Sequence, residues 1–197
     1  MQIQDRRRKS RTITCVTAIL TAAALSCAAA PAAIQEADLP GIENFSRLDG
    51  STGFAGPTAG FGGATRPSAM PALRSAGFAS VIGLRLASEE GAEIDASRAA
   101  AQAAGLKYIH LPFDAKKPDP AVINEFLKAV GDEANQPVFV YCNSATRVAA
   151  LWMIGRVLLD GWDLDAAAKE AEAIAAKPDE AIQFASGYIA SQRPARR

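Results

Sequence analysis

The ten residues Val138-Phe139-Val140-Tyr141-Cys142-Asn143-Ser144-Ala145-Thr146-Arg147 constrain this chain more than any other stretch. An apolar run of β-formers stops at a cysteine, four small residues follow, and an arginine opens a segment of strong helix formers. A strand, a tight loop and a helix N-terminus in succession aim backbone N–H groups at one point, which makes an anion cradle. A cysteine placed there sits in a field that favours its charged, nucleophilic form, and Arg147 adds to that field. Cys142 is also the one cysteine of three that lies beyond residue 30. The stretch therefore points to cysteine chemistry on an anionic substrate.

The text around it alternates between strand and helix patterns. Ile42 to Ala64 is glycine-rich and reads as short strands with tight turns, since no G-x-x-x-x-G-K-[ST] pattern supports a nucleotide loop. Ser68 is placed to cap a short helix that Gly77 ends, and Ala79–Arg85 reads as a buried strand. Asp95–Ala104 is an alanine-rich helix closed by Gly105, and Lys107–Leu111 is a second strand. Asp119-Pro120 opens a helix with Val122, Ile123, Phe126, Leu127 and Val130 on one apolar face. Val148–Leu159 is apolar nearly all round, which predicts a central, buried helix. Asp163 or Asp165 caps another helix, and Pro178 opens a last one ending near Ala190. This order predicts an α/β fold: a mostly parallel central sheet flanked by helices. Ligands in such folds sit beyond the carboxyl ends of the strands, where Cys142 and Pro112-Phe113-Asp114 both fall.

The N-terminus reads as an export signal over residues 1–32. Arg6, Arg7, Arg8, Lys9 and Arg11 form a cationic region, and Ile13–Ala30 an apolar one that leads to Ala30-Pro31-Ala32. Two alternatives stay open, a lipid anchor on Cys27 and an uncleaved N-terminal anchor. Residues 33–41 read as a polar linker, and 42–191 as one domain. The expected location is periplasmic or secreted, with no membrane contact once the signal is cleaved. Five of the 21 Lys/Arg and one of the 21 Asp/Glu lie in the first 11 residues. The remainder carries 16 basic and 20 acidic side chains, a balance of −4, which offers no basic face for nucleic acid. With one cysteine left, no disulfide forms within the domain, and no Cys/His cluster has the spacing of a metal site. No cofactor is expected.

Within the cradle, the amides of Asn143, Ser144, Ala145, Thr146 and Arg147 are candidates to hold oxyanions. The planar fork of Arg147 suits two oxygens at once. Asp114 is the candidate general acid for a leaving alkoxide or phenoxide, ahead of Asp119, whose place before Pro120 already explains it as a cap. Lys116 and Lys117 read as loop charges. His110, the sole histidine, falls inside a strand and reads as a sheet histidine rather than a base.

Four blocks carry a family resemblance: Gly62-Gly63-Ala64-Thr65-Arg66-Pro67-Ser68, Ala76–Arg85, Tyr108-Ile109-His110-Leu111-Pro112 and Tyr141–Arg147. In order and spacing the chain resembles, over roughly residues 43–160, the phosphatase-like domain of beta-lactamase hydrolase-like proteins. That domain lies within the cysteine-dependent tyrosine and dual-specificity phosphatase superfamily. The resemblance implies a three-layer cysteine-phosphatase fold. It also implies Cys142 as nucleophile, Arg147 as phosphate-binding arginine and the Asp114 region as acid loop. The substrate would be a small anion or a phosphoprotein, hydrolysed through a thiophosphate on Cys142. Typical members of the superfamily carry H-C-x5-R, whereas this chain has Tyr141 before the cysteine, four residues before Arg147, Ala145 at the glycine-like position and Val148 after the arginine. The short loop is also of rhodanese length, so persulfide transfer on Cys142 is an alternative. An inactive, anion-binding phosphatase fold is a third.

Overall fold

The computed structural model describes residues 33–192; the expected export segment lies outside them. Six strands form one sheet: β1 Ile34–Glu36, β2 Ser46–Asp49, β3 Thr58–Gly62, β4 Ser80–Gly83, β5 Lys107–His110 and β6 Val138–Tyr141. Their spatial order is β1-β2-β3-β6-β4-β5. The β1–β2 and β2–β3 pairs are antiparallel, and β3, β6, β4 and β5 run parallel. The central parallel strands β4 and β6 are buried along their whole length, as strands covered by helices on both faces must be. In β6, Val138 and Val140 join one apolar cluster while Phe139 and Tyr141 join the other.

Six α-helices cover the sheet: α1 Met70–Ser75, α2 Ile94–Ala103, α3 Pro120–Gly131, α4 Thr146–Leu158, α5 Leu164–Ile174 and α6 Pro178–Gln192. Met70, Leu73 and Ala101 of α1 and α2 pack with Phe78, Val81 and Phe139 on one face. The other face is covered by α3, α4, α5 and α6, with Phe126, Leu151, Trp152, Ile154, Ala171 and Ala185 in a single cluster. The result is a three-layer α/β fold of the class expected from the alternating pattern. The helix expected to be central is α4, in which every residue from Val148 to Val157 is buried. Asp119 caps α3 by accepting from the Ala121 N–H at 2.8 Å, and Asp163 caps α5 through the Ala166 N–H at 2.8 Å. Among the described residues no helix is long and apolar enough to cross a membrane.

Two local expectations are corrected. The stretch 33–41, read as linker, contributes β1, which extends the sheet by pairing Ile34 with Leu48 and Glu36 with Ser46. Ser68 does not cap a helix: it lies inside a 3-10 turn, Pro67–Ala69, and α1 starts at Met70 with no side-chain cap. The last helix, expected to open at Pro178 and end near Ala190, runs from Pro178 to Gln192. The glycine-rich stretch does form short strands and turns, with Gly50, Gly53 and Gly56 at positive φ between β2 and β3.

Candidate active site

The site lies where β6, β4 and β5 end. Cys142 follows β6, Leu84 and Arg85 follow β4, and Leu111–Asp114 follow β5. The Cys142 N–H donates to the Gly62 carbonyl at 3.2 Å, and Ser144 bridges to Gly63, so the loop is held against the end of β3. Gly63 lets the two segments approach closely: a Cβ would stand 3.0 Å from the Glu43 carbonyl and 3.2 Å from that of Asn143, so the backbone would have to give by a few tenths of an ångström. The Ser144 and Thr146 hydroxyls lie 3.1 Å apart, and the Ala176 N–H donates to the Ser144 carbonyl at 3.2 Å.

Ala145 turns the loop into the helix. It takes φ +57° and ψ −5°, a left-handed conformation that costs a residue with a Cβ about 1–2 kcal/mol. This is the position where the wider superfamily pattern has glycine. The turn delivers the chain into α4 with no side chain capping the helix, so its first-turn N–H groups have no partner inside the helix. The positive end of the helix dipole lies at the same place. Cys142 is 1 % exposed beneath this loop, while Asn143 is exposed. A small hollow of about 220 Å³ opens beside the loop, with Thr65, Arg66, Arg85, Glu90 and Asn143 in its walls.

Arg147 is the most heavily bonded residue of the site. Its Nη1 donates to Glu89 Oε1 at 2.7 Å, to the Phe113 carbonyl at 3.0 Å and to the Leu84 carbonyl at 3.2 Å, and its Nη2 donates to Glu89 Oε2 at 2.8 Å. Burial opposes the charge on Arg147, yet the Glu89 carboxylate and the neighbouring Cys142 sulfur together hold it above its ordinary value. For Glu89, burial acts to raise the carboxyl. The bonds from Arg147 and the Leu86 N–H, with the charges of Arg147 and Arg85, outweigh that and keep it below the usual range. Glu89 thus takes the end of the guanidinium fork. Among the described residues the other edge, Nε–H with the second Nη2 hydrogen, meets no oxygen acceptor; the Cys142 sulfur lies beside the guanidinium, and an anion bound there would put two oxygens on that edge.

Glu89 was not anticipated from the sequence, where it reads as one acid in a polar turn. It is held in its turn by its own neighbours: it accepts from the Leu86 N–H at 2.8 Å, and Arg85, 3 % exposed, donates to the Gly91 carbonyl at 2.8 Å. The segment Arg85–Gly91 is therefore a brace for Arg147.

Asp114 is half-buried and accepts from the Lys116 N–H at 2.9 Å, an Asx turn that shapes its loop. The preceding residue, Phe113, gives its carbonyl to Arg147, so the Asp114 loop and the cysteine loop are joined at one guanidinium. Lys116 and Lys117 are exposed. His110 donates from Nε2 to the Arg85 carbonyl at 2.8 Å, a structural role on β5. Tyr141 points to the opposite face of the sheet from Cys142, where its hydroxyl meets that of Tyr108 at 2.7 Å. Burial and the Tyr141 phenol push Tyr108 well above its ordinary value, so the Tyr108 phenol stays neutral. Among the described residues no group of three or more His, Cys, Asp or Glu is arranged to hold a metal.

Residues 63–159 match the family described as "Beta-lactamase hydrolase-like protein, phosphatase-like domain". A search of curated proteins gave no match. The fold is similar to that of TpbA from P. aeruginosa, with a TM-score of 0.59 and 21 % identity over 83 % of this chain and 92 % of that one. A complex of a TpbA variant with pTyr is similar at a TM-score of 0.58 and 19 % identity, over 82 % and 90 %. The catalytic core of the PP-IP phosphatase SIW14 from S. cerevisiae is similar at 0.57 and 18 % identity, over 77 % and 88 %. At these identities the likeness is one of fold. Together with the family match, it makes residues 63–159 of this chain a phosphatase-like domain of the beta-lactamase hydrolase-like family.

Proposed function

We propose that this protein is a cysteine-dependent phosphatase that hydrolyses a phosphomonoester, exported to act in the periplasm or outside the cell. The observation that carries the reading is the open edge of Arg147, held beside the Cys142 sulfur and next to the uncapped N-terminus of α4. A phosphoryl group placed there has two oxygens on the guanidinium edge and the others on loop N–H groups from Asn143 to Arg147. Cys142 Sγ attacks phosphorus, a P–S bond forms and the P–O bond to the leaving group breaks. The carboxyl of Asp114 gives its proton to the departing oxygen. Water then attacks the thiophosphate, Asp114 takes a proton from it, and inorganic phosphate leaves with the thiolate restored. The superfamily pattern has a Ser or Thr after the arginine, where this chain has Val148; Ser144 or Thr146, whose hydroxyls are paired with one another, takes over in easing thiolate departure.

The six-residue loop supports sulfur transfer as a second reading, since a tighter cradle suits a sulfane sulfur. There Cys142 takes the outer sulfur of thiosulfate, releases sulfite and passes the sulfur to cyanide as thiocyanate.

One experiment separates the two. The purified protein is assayed with p-nitrophenyl phosphate and with thiosulfate plus cyanide, and both assays are repeated with Cys142→Ser. Phosphate release that falls at least 10³-fold in the variant is the expected result, on the scale of removing a covalent nucleophile. Thiocyanate formation without phosphate release would overturn the phosphatase reading in favour of sulfur transfer. Activity that survives Cys142→Ser would remove the cysteine from both.

A further inference from the structure

A hollow of about 540 Å³ lies between the antiparallel edge of the sheet and the end of α5. Glu36 at the end of β1, Asp38 just after it and Glu172 in the last turn of α5 stand in its walls, and no basic residue lines it. The hollow also receives the end of α5, which stops at Ile174; the last carbonyls of a helix lack intrahelical partners and carry the negative end of its dipole. Ser46 of β2 is a separate indication. It lines the same hollow, is 3 % exposed, and its Oγ has no hydrogen-bond partner. A buried hydroxyl left unpaired is costly unless a ligand satisfies it.

Every one of these features is negative or able to accept a hydrogen bond. The complement is a cation rich in N–H donors, an ammonium or a guanidinium. The hollow shares a wall with the cysteine loop, because Ala176 lines it and donates its N–H to the Ser144 carbonyl. Its far wall is more distant. β1, β2, β3 and β6 are successive neighbours, and at about 4.8 Å per strand β1 lies about 14 Å from β6, which leads to Cys142. That distance is about four residues of extended chain and is beyond the reach of a small phosphomonoester.

We infer that this hollow is a specificity subsite for a Lys or Arg side chain, so that the preferred substrates are phosphopeptides with a basic residue within about four positions of the phosphorylated one. The inference rests on the phosphatase reading of Cys142. A cationic side chain between Glu36, Asp38 and Glu172 anchors the peptide and holds its phosphate over the loop, and the attraction weakens as salt is added.

The test uses two phosphotyrosyl peptides of one sequence, with Lys or with Glu three residues to either side of the phosphotyrosine, and p-nitrophenyl phosphate as a substrate without a cation. Wild type is compared with the triple variant Glu36→Gln, Asp38→Asn, Glu172→Gln, three exposed positions whose neutralisation leaves the fold in place. The expected result is a wild-type kcat/KM at least tenfold higher for the Lys peptide, shrinking with added NaCl. The triple variant is expected to bring the two peptides within twofold and to leave p-nitrophenyl phosphate unchanged. Equal rates on both peptides in wild type, or a preference that survives the triple variant, would overturn the subsite alone. No turnover of p-nitrophenyl phosphate by wild type would overturn the phosphatase reading, and the subsite with it.

Discussion

The guanidinium of Arg147 has two usable edges, and the fold commits one of them to Glu89 while leaving the other open. An arginine in the first turn of a helix opposes the helix dipole, so its position needs an anion. Glu89 supplies that anion permanently from the end of the fork, and it aims the remaining edge at the space beside Cys142. Glu89 acts here as a positioning residue. The variant Glu89→Gln keeps one acceptor but loses the charge, and the expected consequence is a fall of about tenfold in kcat/KM for p-nitrophenyl phosphate, carried mainly by KM, with about 1–2 kcal/mol of stability lost in urea titration. A rise in kcat/KM would instead identify the pair as a lock that substrate has to open. The placement of Cys142, Arg147 and Asp114 at one end of the sheet was legible in the sequence because each sits at a junction that a short pattern marks: the end of an apolar run, the start of a helix, the residue after a strand. Glu89 was not. It lies 58 positions before its partner, in a turn, Ser88-Glu89-Glu90-Gly91, where acids are ordinary. Nor does any local signal show that Ala145 tolerates a left-handed backbone; burial of its methyl group against α4 is a tertiary matter.

At the scale of elements, α4 does two jobs at its two ends. Its N-terminus follows the cysteine loop, and its C-terminal half carries Arg156, which is 1 % exposed inside an otherwise apolar helix. Arg156 donates from Nε to Glu170 Oε2 at 2.7 Å, from Nη1 to Asp160 at 2.9 Å and from Nη2 to the Ser51 hydroxyl at 2.9 Å. Trp152 Nε1 donates to the same Glu170 carboxylate at 2.6 Å. One guanidinium thus fastens α4 to α5 and to the turn between β2 and β3. Arg156→Leu would leave Glu170, 9 % exposed, with the indole as its remaining donor, and breaking such a pair costs about 3–5 kcal/mol. Urea unfolding followed by tryptophan fluorescence reads that loss; a change under about 1 kcal/mol would mean that the network adds nothing the apolar packing lacks. The sequence made α4 legible through its apolar circumference, and it made β4, β5 and β6 legible through runs bounded by turns. It did not disclose β1, because three residues, Ile34-Gln35-Glu36, show no period and become a strand only by pairing with β2. Ser68 misled for a related reason: proline on either side of it, at positions 67 and 71, favours a 3-10 start, and the hydroxyl is left out of the turn.

The whole molecule joins these pieces through one sheet, and its response to acid follows from where the paired carboxylates lie. Glu89 and Asp49 are both held below their ordinary values. For Asp49 the largest cause is the bond from Arg47, opposed by burial. Asp49 is 48 % exposed at a strand end, where solvent screens the pair, so it contributes little. Glu89 is 22 % exposed and its partner 16 %, so the Glu89–Arg147 pair sets the acid limb. A carboxyl whose value is lower folded than unfolded binds fewer protons in the native state, so it stabilises the fold fully above its ordinary value of 4.5 and loses that contribution as pH falls through the lowered folded value. Wild-type unfolding free energy is therefore expected to be nearly flat near neutrality with respect to this group and to fall as the pH drops below about 4.5. In Glu89→Gln that part of the slope is absent, and the two curves converge in acid, where wild type has been protonated to the same neutral state. Because protonation of Glu89 also frees the end of the Arg147 fork, the affinity of wild type for inorganic phosphate, an anion that fits the open edge, should weaken over the same pH window. In Glu89→Gln it should be weak throughout and show no such window. Urea titrations and phosphate binding by calorimetry at stepped pH measure both. Parallel stability curves for the two proteins from pH 7 to pH 3 would show that the pair does not couple the fold to the anion site.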